Sequence, residues 1–216
     1  MSVRAALRHA LRDLYEQSWR LVILNTALSA AVLAVLVLGS YAPAALVLGL
    51  GIGPLVAALM HCAVCIVRDE ELRLGHAVEG VRMHWRRGLE LAALAGLVVL
   101  AGAVAVRTYG SSGALTWPLA FVVAYLLALF LVFQLLLWPL AVTEPERPLP
   151  RLLTDAGAAL LRRPAATIGL ALALLLVNAL GAVAAVLPLL TITVAYSFVA
   201  AAHFALPTES DEVVPL

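Results

Sequence analysis

The sequence predicts an all-α fold: an integral membrane helical bundle of about six transmembrane helices, with amphipathic helices on the cytoplasmic interface. Three observations carry this. The 216 residues are 64% apolar and 12% charged, against about half and a quarter in soluble domains. The apolar residues collect in runs of 19 or more, the length needed to cross roughly 30 Å of hydrocarbon. Finally, the charged residues lie in the segments between runs, except Glu90, which sits near the interface end of one.

In chain order, residues 4–20 form an amphipathic helix. Leu7, Leu11, Leu14 and Ser18 share one stripe, and Arg8, Arg12, Glu16 and Trp19 lie on or near the other face. Such a helix lies in the interface with its tryptophan at headgroup depth. With Asp13, Glu16 and no small-residue cleavage site, the stretch does not read as a signal peptide. The spans then run at about 21–39, 44–67, 88–106, 117–142, 165–186 and 189–206. Together with the leading helix they make one domain, 1–206, followed by a disordered acidic tail at 207–216.

Span two is interrupted by Gly49, Gly51, Gly53 and Pro54, which predicts a helix break. Gly49 and Gly53 also form a small-xxx-small pair that admits a neighbouring helix. Residues 68–87 read as a second interfacial helix, with Leu74, Val78, Val81 and Trp85 on one stripe and Glu79, Arg82 and Arg86 opposite. Residues 151–163 read as a third, with Leu153, Gly157 and Leu160 inward and Arg151, Asp155 and Arg162 outward.

Arginine placement sets the orientation. With the N-terminus inside, 13 of the 14 arginines are cytoplasmic and only Arg107 is outside. An even number of spans puts the C-terminus inside as well. The absence of lysine points to GC-rich coding DNA, and a net charge of +1 gives no case for nucleic acid.

The three charged helices share a pattern. Asp13, Glu79 and Asp155 each precede an arginine by seven residues (Arg20, Arg86, Arg162), and a span follows each. Three helical-hairpin repeats would produce this, and so would any charged loop with an acid and an arginine two turns apart.

Few residues could carry chemistry. Asn25, Gln134 and Asn178 lie within spans, where amides bond across helices or line a polar path; His203, Thr191 and Thr193 in the last span pose the same choice. His61, Cys62 and Cys65 include a CxxC, but three ligands on one apolar helix cannot all point one way, and packing is the expected role. No catalytic motif is present, so no enzyme activity, metal or cofactor is expected. Arg82, Trp85, Arg86, Arg87, Arg162 and Arg163 offer a cytoplasmic contact for lipid headgroups or a protein partner.

The chain resembles the YesL-like family of bacterial multi-pass membrane proteins. The carriers are Asn25, the stretch Gly53-Pro54-Leu55-Val56-Ala57-Ala58-Leu59, the charged loop after it, the HWRRG-type start at His84–Gly88, and Asn178 followed by Pro188-Leu189-Leu190-Thr191. Members are often encoded beside carbohydrate-uptake ABC transporters. The resemblance therefore implies a bacterial plasma-membrane protein accessory to such a system. The alternative is a small solute transporter or channel in its own right, and the oligomeric state is left open.

Overall fold

A computed structural model describes residues 2–41, 43–68, 72–183 and 187–206, and the regular structure among them is all helical. The acidic tail at 207–216 lies outside the described residues, as do 184–186 at the end of the fifth expected span. So do the side chains of Leu14, Glu16, Ser18, Trp19, Leu74 and Thr191. Seven α-helices are described: α1 (Val3–Tyr41), α2 (Ile52–Val67), α3 (Leu74–Ser111), α4 (Trp117–Thr143), α5 (Leu149–Arg162), α6 (Pro164–Val183) and α7 (Leu187–Ala205). A 3-10 segment, Pro43–Gly51, leads into α2, so the change of helix type falls within the Gly49–Pro54 stretch.

Among the described residues, five segments are long and apolar enough to cross a membrane: Arg20–Tyr41, Val47–Val67, Gly75–Ser111, Trp117–Thr143 and Pro164–Gly181. In α7 the apolar stretch among the described residues is Ile192–Ala205.

Two of the expected interfacial helices are not separate elements. Residues 4–20 are the first half of the 39-residue α1, and most of 68–87 is the first half of the 38-residue α3. At 1.5 Å per residue each runs for about 58 Å, nearly twice the hydrocarbon thickness. Neither junction holds a proline, so nothing stops the backbone ladder from continuing into the span. The third junction does break. Pro164 disfavours helical geometry at Arg163, which sits at φ −137°, ψ 55°, so α5 ends there and α6 begins afresh.

The inward faces also differ from the expected stripes. In the first half of α1, before Arg20, the fully buried residues are Ala6 and Ala10, while Leu11 is 62% exposed. On α3 they are Gly80, His84, Gly88 and Leu91, while Val78 is 62% exposed and Trp85 is exposed. An interfacial segment turns its large apolar groups to the membrane, while close contact with a neighbouring helix favours small residues such as Ala6, Ala10 and Gly80. On the amphipathic α5 the inward stripe is Leu152, Ala156 and Leu160, one position away from the expected Leu153 and Gly157.

Cross-helix pairs give the relative directions. Gly53 meets Gly88 and His61 meets His84, so α2 and α3 are antiparallel. Asn178 bonds Ser197 and Gly181 abuts Thr193, so α6 and α7 are antiparallel. Leu7 pairs with Tyr196 and Asp13 with His203, so α1 and α7 run parallel. Six alternating crossings would set the first and last helices antiparallel. The expected six-span arrangement is corrected on this point: α7 lies parallel beside the arginine-bearing half of α1. There Ala10 and the small α7 residues Ala195, Val199, Ala200 and Ala202 share one buried cluster.

Candidate functional site

Two polar residues expected within spans converge, from different helices, on one cavity. Gln134 comes from α4 and Asn178 from α6, and Ser197 of α7 joins them. The cavity has a volume of about 280 Å³ and is otherwise walled by apolar groups such as Val56, Met60 and Trp138. A second cavity of about 470 Å³ adjoins it and shares Leu135, Asn178 and Ser197. Its outer wall includes Tyr125 and Leu172, 67% and 60% exposed, so it opens sideways on the lipid-facing surface.

The hydrogen bonding around the first cavity is uneven. Asn178 Nδ2 donates to Leu174 O at 2.8 Å and to Ser197 Oγ at 2.7 Å. Ser197 Oγ in turn donates to Thr193 O at 2.9 Å. Asn178 therefore ties α6 to α7, helped by Gly181, where an added Cβ would lie 2.7 Å from Thr193 Oγ1. Asn178 Oδ1 and both amide atoms of Gln134 are buried with no hydrogen-bond partner among the described residues. An unpaired buried amide costs about 1–3 kcal/mol. Asn25, fully buried in α1, is engaged elsewhere and lines neither cavity.

The arginine-bearing segments meet on one face. Arg20 donates to Leu72 O, joining the first segment to the second. Arg87 donates to Pro145 O at 3.0 Å and Arg147 O at 2.6 Å, joining the second to the third, and also pairs with Glu90 at 2.9 Å. Arg147 pairs with Glu144 at 2.5 Å and Asp155 at 3.2 Å. Arg87 is thus committed to holding the α4–α5 loop. Arg82, Trp85 and Arg86 stay exposed, with the Arg86 guanidinium 5.2 Å from the Trp85 ring centre. Arg162 and Arg163 are exposed on the far end of α5. Arg20, Arg86 and Arg162, the three matched arginines, occupy three unlike environments.

Two histidine pairs were not legible in the sequence, because their members lie far apart in it. His61 Nδ1 lies 3.4 Å from His84 Nε2, and Cys65 Sγ lies 3.8 Å from the other nitrogen of His61. The glycine crossing admits this pair: a Cβ on Gly53 would sit 2.2 Å from Gly88 O, and one on Gly80 would sit 3.0 Å from His61 Cβ. Cys62 is fully buried in the main apolar cluster. The second pair joins the first and last helices, His203 Nε2 lying 2.6 Å from Asp13 Oδ2 with the His9 ring tilted at 37° beside it. Among the described residues no group of three or more histidine, cysteine or acidic side chains is placed to hold a metal ion.

Comparison with known proteins found no matching family model, no matching curated protein and no matching solved structure. The resemblance to the YesL-like family gains no support from them.

Proposed function

We propose that this is a non-enzymatic multi-pass membrane protein that binds a small molecule from the bilayer in the α4–α6–α7 cavity, as a carrier or channel does. The observation that carries this is Gln134, whose whole amide is buried beside the cavity without a partner. A packing role explains Asn178, which bridges two helices; it does not explain Gln134. Side access from the lipid supports a ligand that arrives through the bilayer. The test is organic extraction of purified protein followed by mass spectrometry. A compound retained by the wild type and lost when Leu135→Trp fills the shared wall supports the reading. Identical extracts from both proteins would refute it.

The site sits in a bacterial plasma membrane on this reading, with Arg20 and the second and third arginine-bearing segments cytoplasmic. The bonds of Arg20 and Arg87 support one common face for them. The contact of His203 with Asp13 supports the end of α7 near that face. A reporter fused after Gly113 is expected to behave as external.

A second reading, a docking subunit for an ABC-type transporter of sugars, is favoured by the exposed Arg82–Trp85–Arg86 face. Loss of a co-purifying partner on Arg82→Glu with Arg86→Glu would support it.

A further inference from the structure

We propose that the cavity selects a neutral amphiphile whose head both donates and accepts hydrogen bonds, such as a long-chain alcohol or a monoglyceride. This rests on the ligand-binding reading above. Asn178 has spent its donor side on Leu174 O and Ser197 Oγ, and Ser197 has spent its proton on Thr193 O. What remains unmet is one donor group, Gln134 Nε2, and two acceptors, Gln134 Oε1 and Asn178 Oδ1, all buried just behind the cavity wall, so the proposal includes a turn of these side chains towards the ligand. A hydroxyl meets both kinds at once. An ester, ether or quinone head offers acceptors only and leaves both carbonyl oxygens unmatched. A charged head is disfavoured, because among the described residues no acidic, arginine or histidine side chain lines either cavity, and an unpaired buried charge is far costlier than a neutral group. The remaining walls are apolar and continue into the larger cavity towards the lipid, which gives the tail its place.

Trp138 lines the cavity and reports occupancy. The experiment titrates the full-length protein in detergent with a brominated long-chain alcohol and, separately, with its methyl ether. The signal is the part of the tryptophan quenching that disappears in Trp138→Phe. The two probes share a tail and differ in the donor. We expect the alcohol to bind about tenfold more tightly, equivalent to 1.4 kcal/mol, and Gln134→Leu to abolish the difference. If Gln134→Leu does not purify as a folded protein, Asn178→Leu makes the same test from α6. Equal binding of alcohol and ether overturns the inference and leaves the cavity as a site that reads only the tail. Quenching by neither probe overturns this inference and the ligand-binding reading together.

Discussion

Replacing Gly53 by alanine tests the α2–α3 crossing at its tightest point. The added Cβ would lie 2.2 Å from Gly88 O and 2.6 Å from the Ala92 Cβ. The first obstacle is backbone, which cannot swing aside as a side chain can. Ordinary contact begins at 3.4 Å, so the helices would have to part by about 1.2 Å, a gap that forfeits a large share of the contact energy along the seam. His61 and His84, now 3.4 Å apart, would separate too. Overpacking of this kind costs about 1–3 kcal/mol. Alanine returns at most about 1 kcal/mol of helix propensity, and less in the first turn of α2, leaving a net loss of about 1–2 kcal/mol. Gly49→Ala is the control. Its Cβ would meet only Val35, at 3.7 Å, so it is expected to be neutral. The assay is unfolding in mixed micelles at rising SDS fraction, followed by helicity. Gly53→Ala unfolding within about 0.5 kcal/mol of wild type, or Gly49→Ala losing as much as Gly53→Ala, would refute the reasoning.

Further outcomes follow from particular contacts. The offset that sets Leu7 on Tyr196 and Asp13 on His203 sets Ala10 beside Val199. Cysteines at those two positions, with Cys62 and Cys65 replaced by alanine, should form a disulfide on mild oxidation. Cysteines at Val3 and Ala202 should not, because they are far out of register for bonding. Arg87→Ala should open the Glu144–Pro148 loop to limited proteolysis and cost about 1–2 kcal/mol, given that its bonds are charge-assisted but partly wet. Arg86→Ala, which removes only a stacking contact on Trp85, should leave both measurements unchanged. Gln134→Leu should raise the stability of the ligand-free protein by about 1 kcal/mol, by removing an unpaired buried amide.

Composition and run length gave the all-helical character and the membrane class, because the thickness of hydrocarbon imposes a length that any reader of the sequence can count. Breaks were legible only where a residue forces one. Pro164 ends α5, but nothing in the residues around Trp19 or Trp85 stops a helix, and a change from charged to apolar composition is not a backbone signal. Leu11 and Val78 lie on stripes that the sequence turns to the membrane, and they are exposed; which residues face a neighbouring helix, such as Ala10 and Gly80, and the one-position offset of the inward stripe on α5, were not legible. Gln134 and Asn178 could be picked out as polar groups at depth. That they share a cavity, and that Asn25 does not, depends on which helices meet, as does the pairing of His61 with His84. The parallel contact of α7 with α1 joins residues about 190 apart, and span counting alone points to the opposite direction.

The amides within the spans stand in different positions. Asn178 uses its donor to hold α6 against α7, so its presence is accounted for by the fold. Gln134 has both amide atoms buried and spends neither on a partner among the described residues. In hydrocarbon such a group is a standing cost, since there is no solvent to satisfy it. Occupancy of the cavity would relieve that cost, and binding to the folded state alone adds stability by mass action, about 2.7 kcal/mol at a hundredfold excess over Kd. Stability and occupancy are therefore linked through one residue. Wild type should gain stability on addition of the ligand, and Gln134→Leu should start more stable and gain less. A glutamine with no part in binding would give only the first half of that crossing pattern.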